Sequence, residues 1–268
     1  MRTRNIIAAL LLMVAGMQTT WAQKIILHMQ NKQKVEYEIS QLDSITFVEG
    51  EQIYDETHGV YNGHEWVDLG LPSGTLWATC NVGAKTPEEP GDYFAWGEIL
   101  PKKTYNWSSY KWMSAGKPDW NLVNKYTRAD GQMDGCWYNS EGYFVGDGLT
   151  ELLPADDAAT ANWGSGWQMP DLDQSKELID SKYTTMEWSE TACKITSKTN
   201  GNSIVLPTVG IYEDEELRSN DYYITFWLRT TYITNFAHDL YINFRSGYYG
   251  TSSDQRYYGQ IVRPVRKK

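Results

Sequence analysis

The chain has 268 residues, a formal net charge of −10, 12 Trp, 19 Tyr and only three Cys. Acidity of this size without a basic stripe excludes the phosphate-neutralising footprint of a nucleic-acid binder. The three Cys form no CxxC or Cys/His cluster, which leaves zinc and thiol-redox sites unsupported.

Arg2 and Arg4 precede an apolar run, Ile6 through Ala15, and Thr20-Trp21-Ala22 offers small residues before Gln23. This is the layout of a secretory signal peptide over residues 1–22, too short for a bilayer span of about 20 apolar residues. No later segment is long and apolar enough, so no membrane span is expected. Residues 23–48 read as a small N-terminal β module. Lys24 through Met29 and Val35 through Ile39 form a predicted hairpin, and Ile45 through Val48 a third strand. Residues 49–60 are polar and read as a linker, so the main domain is expected over 61–268.

In that domain Trp66–Leu71 and Thr75–Cys80 read as strands around a Pro72-Ser73-Gly74 turn. Tyr93–Glu98 reads as an aromatic strand, and 100–150 as long loops on a rigid frame. Two helices are predicted, at Asp156–Ala161 and Pro170–Ile179, each opening with carboxylates that suit a helix N-terminus. Short strands follow at 193–196, 203–206, 223–227, 240–244 and 260–263, with Asn200-Gly201 as a tight turn. Many strands, few helices and no βαβ alternation predict an α+β fold with mainly antiparallel pairing.

Several blocks together resemble the Fibrobacter succinogenes major paralogous domain family, related to C-type-lectin-like and formylglycine-generating-enzyme-like folds. They are VDLGLPSGTLWATCNVGA at Val67–Ala84, AWGE at Ala95–Glu98, DDAA at Asp156–Ala159 and Trp163-Gly164 with GWQMP at Gly166–Pro170. GNSIVLP at Gly201–Pro207, RYYG at Arg256–Gly259 and VRPV at Val262–Val265 complete the order, and the Ser44–Phe47 leader also looks familial. The resemblance spans about residues 61–266. It implies a compact lectin-like domain whose first and last strands pair, with long loops displayed at one side. The chain departs from the family at Gln168, where Arg is usual, at Asp171, where Thr is usual, and at Trp227-Leu228-Arg229, where Trp-Ser-Ser is usual. Such folds host binders and enzymes alike, so function rests on the site.

No GxSxG, HExxH, P-loop or GxGxxG pattern is present. The four His, at 28, 58, 64 and 238, have no acidic partner at metal-ligand spacing. The related enzymes use paired C-terminal cysteines; here the last is Cys193. The paired carboxylates Glu88-Glu89 and Asp156-Asp157, and the run Glu213 through Glu216, read as caps or solvated loop. Asp130 through Glu141 comes near a calcium-loop spacing, but Gln132 stands where an acid or Asn belongs. The expectation is a non-catalytic protein without cofactor or metal.

The unusual stretch is 222–258, which holds eight Tyr among Asn, Ser, Thr and Asp. Alternation points Leu240, Ile242 and Phe244 to a core and Tyr241, Asn243 and Arg245 outward. Tyr with small polar residues makes adaptable recognition surfaces. The candidate ligand-binding set is Tyr232, Asn235, His238, Asp239, Tyr241, Asn243, Arg245, Tyr248, Tyr249 and Asp254. The expected function is exported recognition of a glycan or protein ligand at the cell surface, in the periplasm or after secretion. The alternatives are a structural subunit of a surface appendage and an enzyme with an unrecognised site. N-terminal sequencing of the protein exported by a bacterial host is expected to begin at Gln23; an intact Met1 contradicts the signal reading.

Overall fold

The computed structural model describes residues 24–28, 34–38, 52–129, 133–218 and 222–268. The chain divides into two units, residues 1–48 and 49–268. In the first, β1 (Lys24–His28) and β2 (Lys34–Glu38) pair antiparallel, Lys24 opposite Glu38 and His28 opposite Lys34. The signal segment and the third strand expected at 45–48 lie outside the described residues.

The second unit runs β3 (Gln52–Asp55), β4 (His58–Tyr61), β5 (His64–Asp68), β6 (Thr75–Ala78), α1 (Ala158–Trp163), α2 (Leu172–Ile179), β7 (Thr184–Trp188), β8 (Ala192–Ser197) and β9 (Ser203–Pro207). It continues with β10 (Ile211–Glu213), β11 (Glu216–Arg218), β12 (Tyr223–Ile233), β13 (Phe236–Asn243), β14 (Tyr248–Gln255) and β15 (Val265–Lys267). The fold is α+β, and every strand pairing is antiparallel.

One sheet has the order β15-β6-β5-β4-β3; three-stranded sheets β7-β8-β9 and β12-β13-β14 and a ribbon β10-β11 complete the unit. The expected linker at 49–60 is therefore corrected: residues 52–61 supply the edge strand β3 and its neighbour β4. Polar strands at an edge carry little apolar alternation, so periodicity missed them. Local turns set them up. Asp55 Oδ1 accepts from Thr57 N at 2.6 Å between β3 and β4. Asn62-Gly63, at φ 48° and 79°, makes the two-residue turn into β5.

Both helices start where carboxylates cap them. Asp157 accepts from Thr160 N at 2.9 Å, and its other oxygen accepts from Met169 N at 2.9 Å. Asp171 and Gln174 form a reciprocal capping box. Asp156 is not a cap. It is buried and takes Tyr126 Oη at 2.6 Å, Lys125 Nζ at 2.5 Å and Lys111 Nζ at 3.2 Å. The run at 213–216, expected as solvated loop, is the β10–β11 turn, with Glu213 paired to Arg218.

Two segments expected as strands are not. Tyr93–Glu98 and 260–263 are irregular, joined by single bridges of Phe94 to Gln260 and of Phe226 to Ile261. They are nonetheless core. Trp96 is fully buried with Nε1 on Leu228 O at 2.7 Å, and Trp227 Nε1 reaches Phe94 O at 2.8 Å. Two departures from the resembled pattern meet here: Arg229 Nη1 donates to Gln168 Oε1 at 2.9 Å.

Arg263 is completely buried, and among the described residues no carboxylate pairs with it. Its guanidinium reaches Asn81 Oδ1 at 2.7 Å, the Ala78 and Thr79 carbonyls at 3.0 and 2.6 Å, and the Val205 carbonyl at 3.0 Å. A planar fork serves that spread of acceptors; a lysine ammonium does not. Arg263→Lys is expected to lower unfolding stability by roughly 2–5 kcal/mol, at about 1–3 kcal/mol per stranded acceptor. Urea denaturation measures it, and an unchanged midpoint contradicts this role.

Candidate functional site

The β12-β13-β14 sheet carries the C-terminal aromatic block. Its register places Tyr223, Thr225 and Trp227 beside Asn243, Tyr241 and Asp239 on one face. Ile224 and Phe226 lie beside Ile242 and Leu240 on the other. That second face packs on α2 and on β8 and β9 through Leu178, Ile179, Ile195, Ile204 and Leu206. Leu240 and Ile242 thus point inward as alternation predicts.

The opposite face is not displayed as expected. Residues 256–263 and Phe94 cover it: Thr225 Oγ1 donates to Gln260 Oε1 at 2.7 Å, and Trp227 Nε1 to Phe94 O. Thr225, Trp227 and Asp239 are fully buried in consequence. Asn235 is buried too, and Asp254 is tied to Gln260. Of the candidate ligand contacts, Asn235 and Asp239 are corrected to interior positions, and Asp254 is half-buried with its carboxylate on Gln260. Tyr241 is half-buried between Tyr223 and Tyr248, at ring-centre distances of 5.7 and 6.1 Å. His238 faces Ser252 O at 3.1 Å, and burial holds its imidazole below the ordinary value. Exposed Tyr232 lies edge-on to His238 at 5.1 Å. Arg245 stacks over Tyr222 at 4.2 Å.

The remaining three, Asn243, Tyr248 and Tyr249, meet at the tip of the β13–β14 hairpin. They line a groove of about 420 Å³ between that tip and β7. Ile179, Met186 and Ile242 form its floor where the first core cluster reaches the surface. Trp188 and Phe244 form an aromatic wall, with ring centres 5.3 Å apart. Trp188, Tyr248 and Tyr249 are 37, 54 and 47% exposed. Ser181, Thr185 and Lys198 give a polar rim, while Thr184 is buried with its hydroxyl on Leu178 O at 2.8 Å; Lys198 Nζ bonds Ser181 O at 2.6 Å. The lining side chains offer aromatic faces, hydroxyls, an amide and one ammonium.

Half of this groove was absent from the sequence reading. Phe244 was assigned to the core, and β7 and the Lys198 turn had no candidate. Thr184–Trp188 alternates, but nothing local says that Trp188 stands at a groove rather than inside. The tip itself is ordered by Asn243, whose Oδ1 accepts from Arg245 N and Ser246 N, both at 3.1 Å. Its Nδ2 donates to Tyr241 Oη at 3.1 Å.

A second cavity, of about 250 Å³, gathers His64, Glu65, Cys80, Lys85 and Trp163. His64 lies flat on Trp163 at 3.7 Å, and burial lowers its basicity. Burial pushes the Cys80 thiol up, against the help of the Thr79 hydroxyl at 3.8 Å. A raised thiol supplies little thiolate, so the cavity lacks an activated nucleophile. Cys80, Cys136 and Cys193 are all unpaired. The calcium-like spacing begins at Asp130–Gln132, outside the described residues. Further along it, Asn139 Oδ1 accepts from Glu141 N and Tyr143 N at 3.0 and 2.9 Å in a turn. Among the described residues no group of three or more His, Cys, Asp or Glu is placed to hold a metal ion.

Asn243→Ala is expected to cost about 1 kcal/mol and to speed amide hydrogen exchange at Arg245 and Ser246. Exchange unchanged at both amides contradicts the turn assignment. No protein-family model, no curated protein and no solved structure matches the chain.

Proposed function

We propose that this protein is an exported, non-catalytic binder that takes a saccharide in the groove between β7 and the β13–β14 tip. The observation that carries the reading is the conjunction of Trp188, Phe244 and Tyr249 with a hydroxyl, amide and ammonium rim in one open groove. A pyranose has an apolar C–H face and a ring of hydroxyls. Aromatic planes take the first, and small polar side chains take the second. Few rotatable bonds in Trp and Tyr keep the ordering cost of such a site low.

The lectin-like reading of the fold stays part of this proposal. The resembled blocks support it, and so do the α+β architecture and the return of β15 to pair with β6. Export rests on the signal-like first 22 residues. A protein ligand is the competing occupant; a groove of about 420 Å³ with several aromatic side chains in its lining favours a sugar ring or a short oligosaccharide.

The test is a glycan array read with wild type, Trp188→Ala, Tyr249→Ala and Tyr232→Ala. Loss of one stacking aromatic is expected to weaken the best-bound saccharide at least tenfold, roughly 1.4 kcal/mol. Tyr232→Ala, exposed but outside the groove, is expected to bind as wild type. Equal loss in Tyr232→Ala, or no loss in Trp188→Ala, contradicts the site.

A further inference from the structure

Asp239 on β13 and Asp254 on β14 stand diagonally on one face of the sheet, since Asp239 pairs with Ser252 and Ala237 with Asp254. One amide holds both. Gln260 Nε2 donates to Asp239 Oδ2 at 3.1 Å and to Asp254 Oδ2 at 2.8 Å. Its Oε1 accepts from Thr225 Oγ1 on β12 at 2.7 Å. A single side chain therefore fastens all three strands. The amide has only two hydrogens, and both are used. Asp239 is fully buried, and besides Gln260 its carboxyl meets the Ser252 backbone amide and the Asp254 carboxyl.

Among the described residues no cationic side chain is paired with either carboxyl. From β12 the same face presents Tyr223, Thr225 and Trp227; from β13, Tyr241; from β14, Tyr248 and Ser252. His238 lies on the other face and points to the Ser252 carbonyl. Tyr258, in the covering segment, is a phenol raised chiefly by burial and in part by Asp254. Arg256 sends its guanidinium to the carbonyls of Lys125, Tyr126 and Ile233 and lies over Trp96. Two ionised carboxylates sharing one amide in a dry site repel strongly.

We propose that Asp239 and Asp254 share one proton at neutral pH and form a proton-operated clasp on the C-terminal hairpin. With the proton in place, one carboxyl is neutral and the amide serves a single negative charge. When it leaves, the Gln260 amide has no further hydrogen to give, the Ser252 amide on Asp239 is the one remaining donor given for the pair among the described residues, and β13 and β14 are pushed apart. Burial, and then the charge of its neighbour, raises Asp239 well above the ordinary carboxylate range; burial raises Asp254. Asn243, Tyr248 and Tyr249 stand on this hairpin, so its loosening carries the groove with it. The clasp stands on the interior geometry alone, whatever the groove binds.

The sign follows from proton counting. Unfolded, both carboxyls ionise near 3.8; folded, the pair keeps a proton above that pH. The native state then binds more protons, and stability falls as pH rises. The clasp's contribution is complete below about pH 3.8, declines above it and is gone beyond the pair's own upper pKa. Asp156, held low by its lysine and tyrosine partners against its burial, runs the other way. The readout is therefore the difference between wild type and variant.

Thermal unfolding of the full chain from about pH 5 to about pH 9 tests this on wild type, Asp239→Asn and Asp254→Asn. An asparagine stands in for the neutral acid. Both variants are expected to gain on wild type as pH rises, with the larger difference at the alkaline end. Profiles parallel to wild type overturn the proposal. Should Asp239→Asn not fold, Asp254→Asn at the less buried partner carries the comparison. An infrared protonated-carboxyl band in wild type at neutral pH, weakened in Asp254→Asn, is the second readout; a band equally strong in wild type and variant, or absent from both, also overturns it.

Discussion

The buried guanidinium of Arg263 is the constraint on which the large unit depends. Its acceptors belong to two separate pieces of chain: residues 78–81, where β6 ends and the following turn begins, and the middle of β9. A residue near the C-terminus thus ties the end of β6 in one sheet to the edge strand β9 of another. Burying a charge without a counter-ion is costly, and only a full set of well-placed acceptors makes it tolerable. Arg256 repeats the device one turn of chain earlier, with carbonyls of Lys125, Tyr126 and Ile233. Between them, residues 256–263 become a rigid strip laid over the β12-β13-β14 sheet.

That strip decides where the surface is. It covers the Tyr241 face of the sheet, and the other face packs on α2, β8 and β9. A three-stranded sheet buried on both sides exposes only its edge and its ends. Recognition chemistry is therefore displaced to the hairpin tip, where Phe244, Tyr248 and Tyr249 outrun both layers and meet Trp188. The Asn243 turn and the Gln260 bridge hold that tip from its two ends. Binding surface and interior polar network are linked through one hairpin.

Much of the fold was legible in local pattern. Asp157 and Asp171 announced their helices because a carboxylate at a helix start has a definite hydrogen-bonding job. Alternation in Leu240–Phe244 gave the correct inward side for Leu240 and Ile242. What escaped notice lacked an apolar signal or depended on distant partners. β14, with the sequence YYGTSSDQ, contains no aliphatic residue, and its strand character comes from pairing with β13. β3 and β4, at 52–61, look like linker in the sequence for the same reason. The site was half legible: Asn243, Tyr248 and Tyr249 were named, but the covering strip that buries Asp239 and the approach of β7 are both nonlocal. Alternation tells two faces apart; it does not say which one a segment far along the chain will cover.

The saccharide proposed for this protein meets the tip groove and leaves the Tyr241 face alone. The decisive measurement is to titrate isotope-labelled protein with the best-bound saccharide and follow aromatic side-chain resonances. Shifts are expected at Trp188, Phe244 and Tyr249, with Tyr232 and Tyr143 unmoved. Shifts centred on Tyr223, Tyr241 and the Arg245–Tyr222 stack, with Trp188 unmoved, would contradict it.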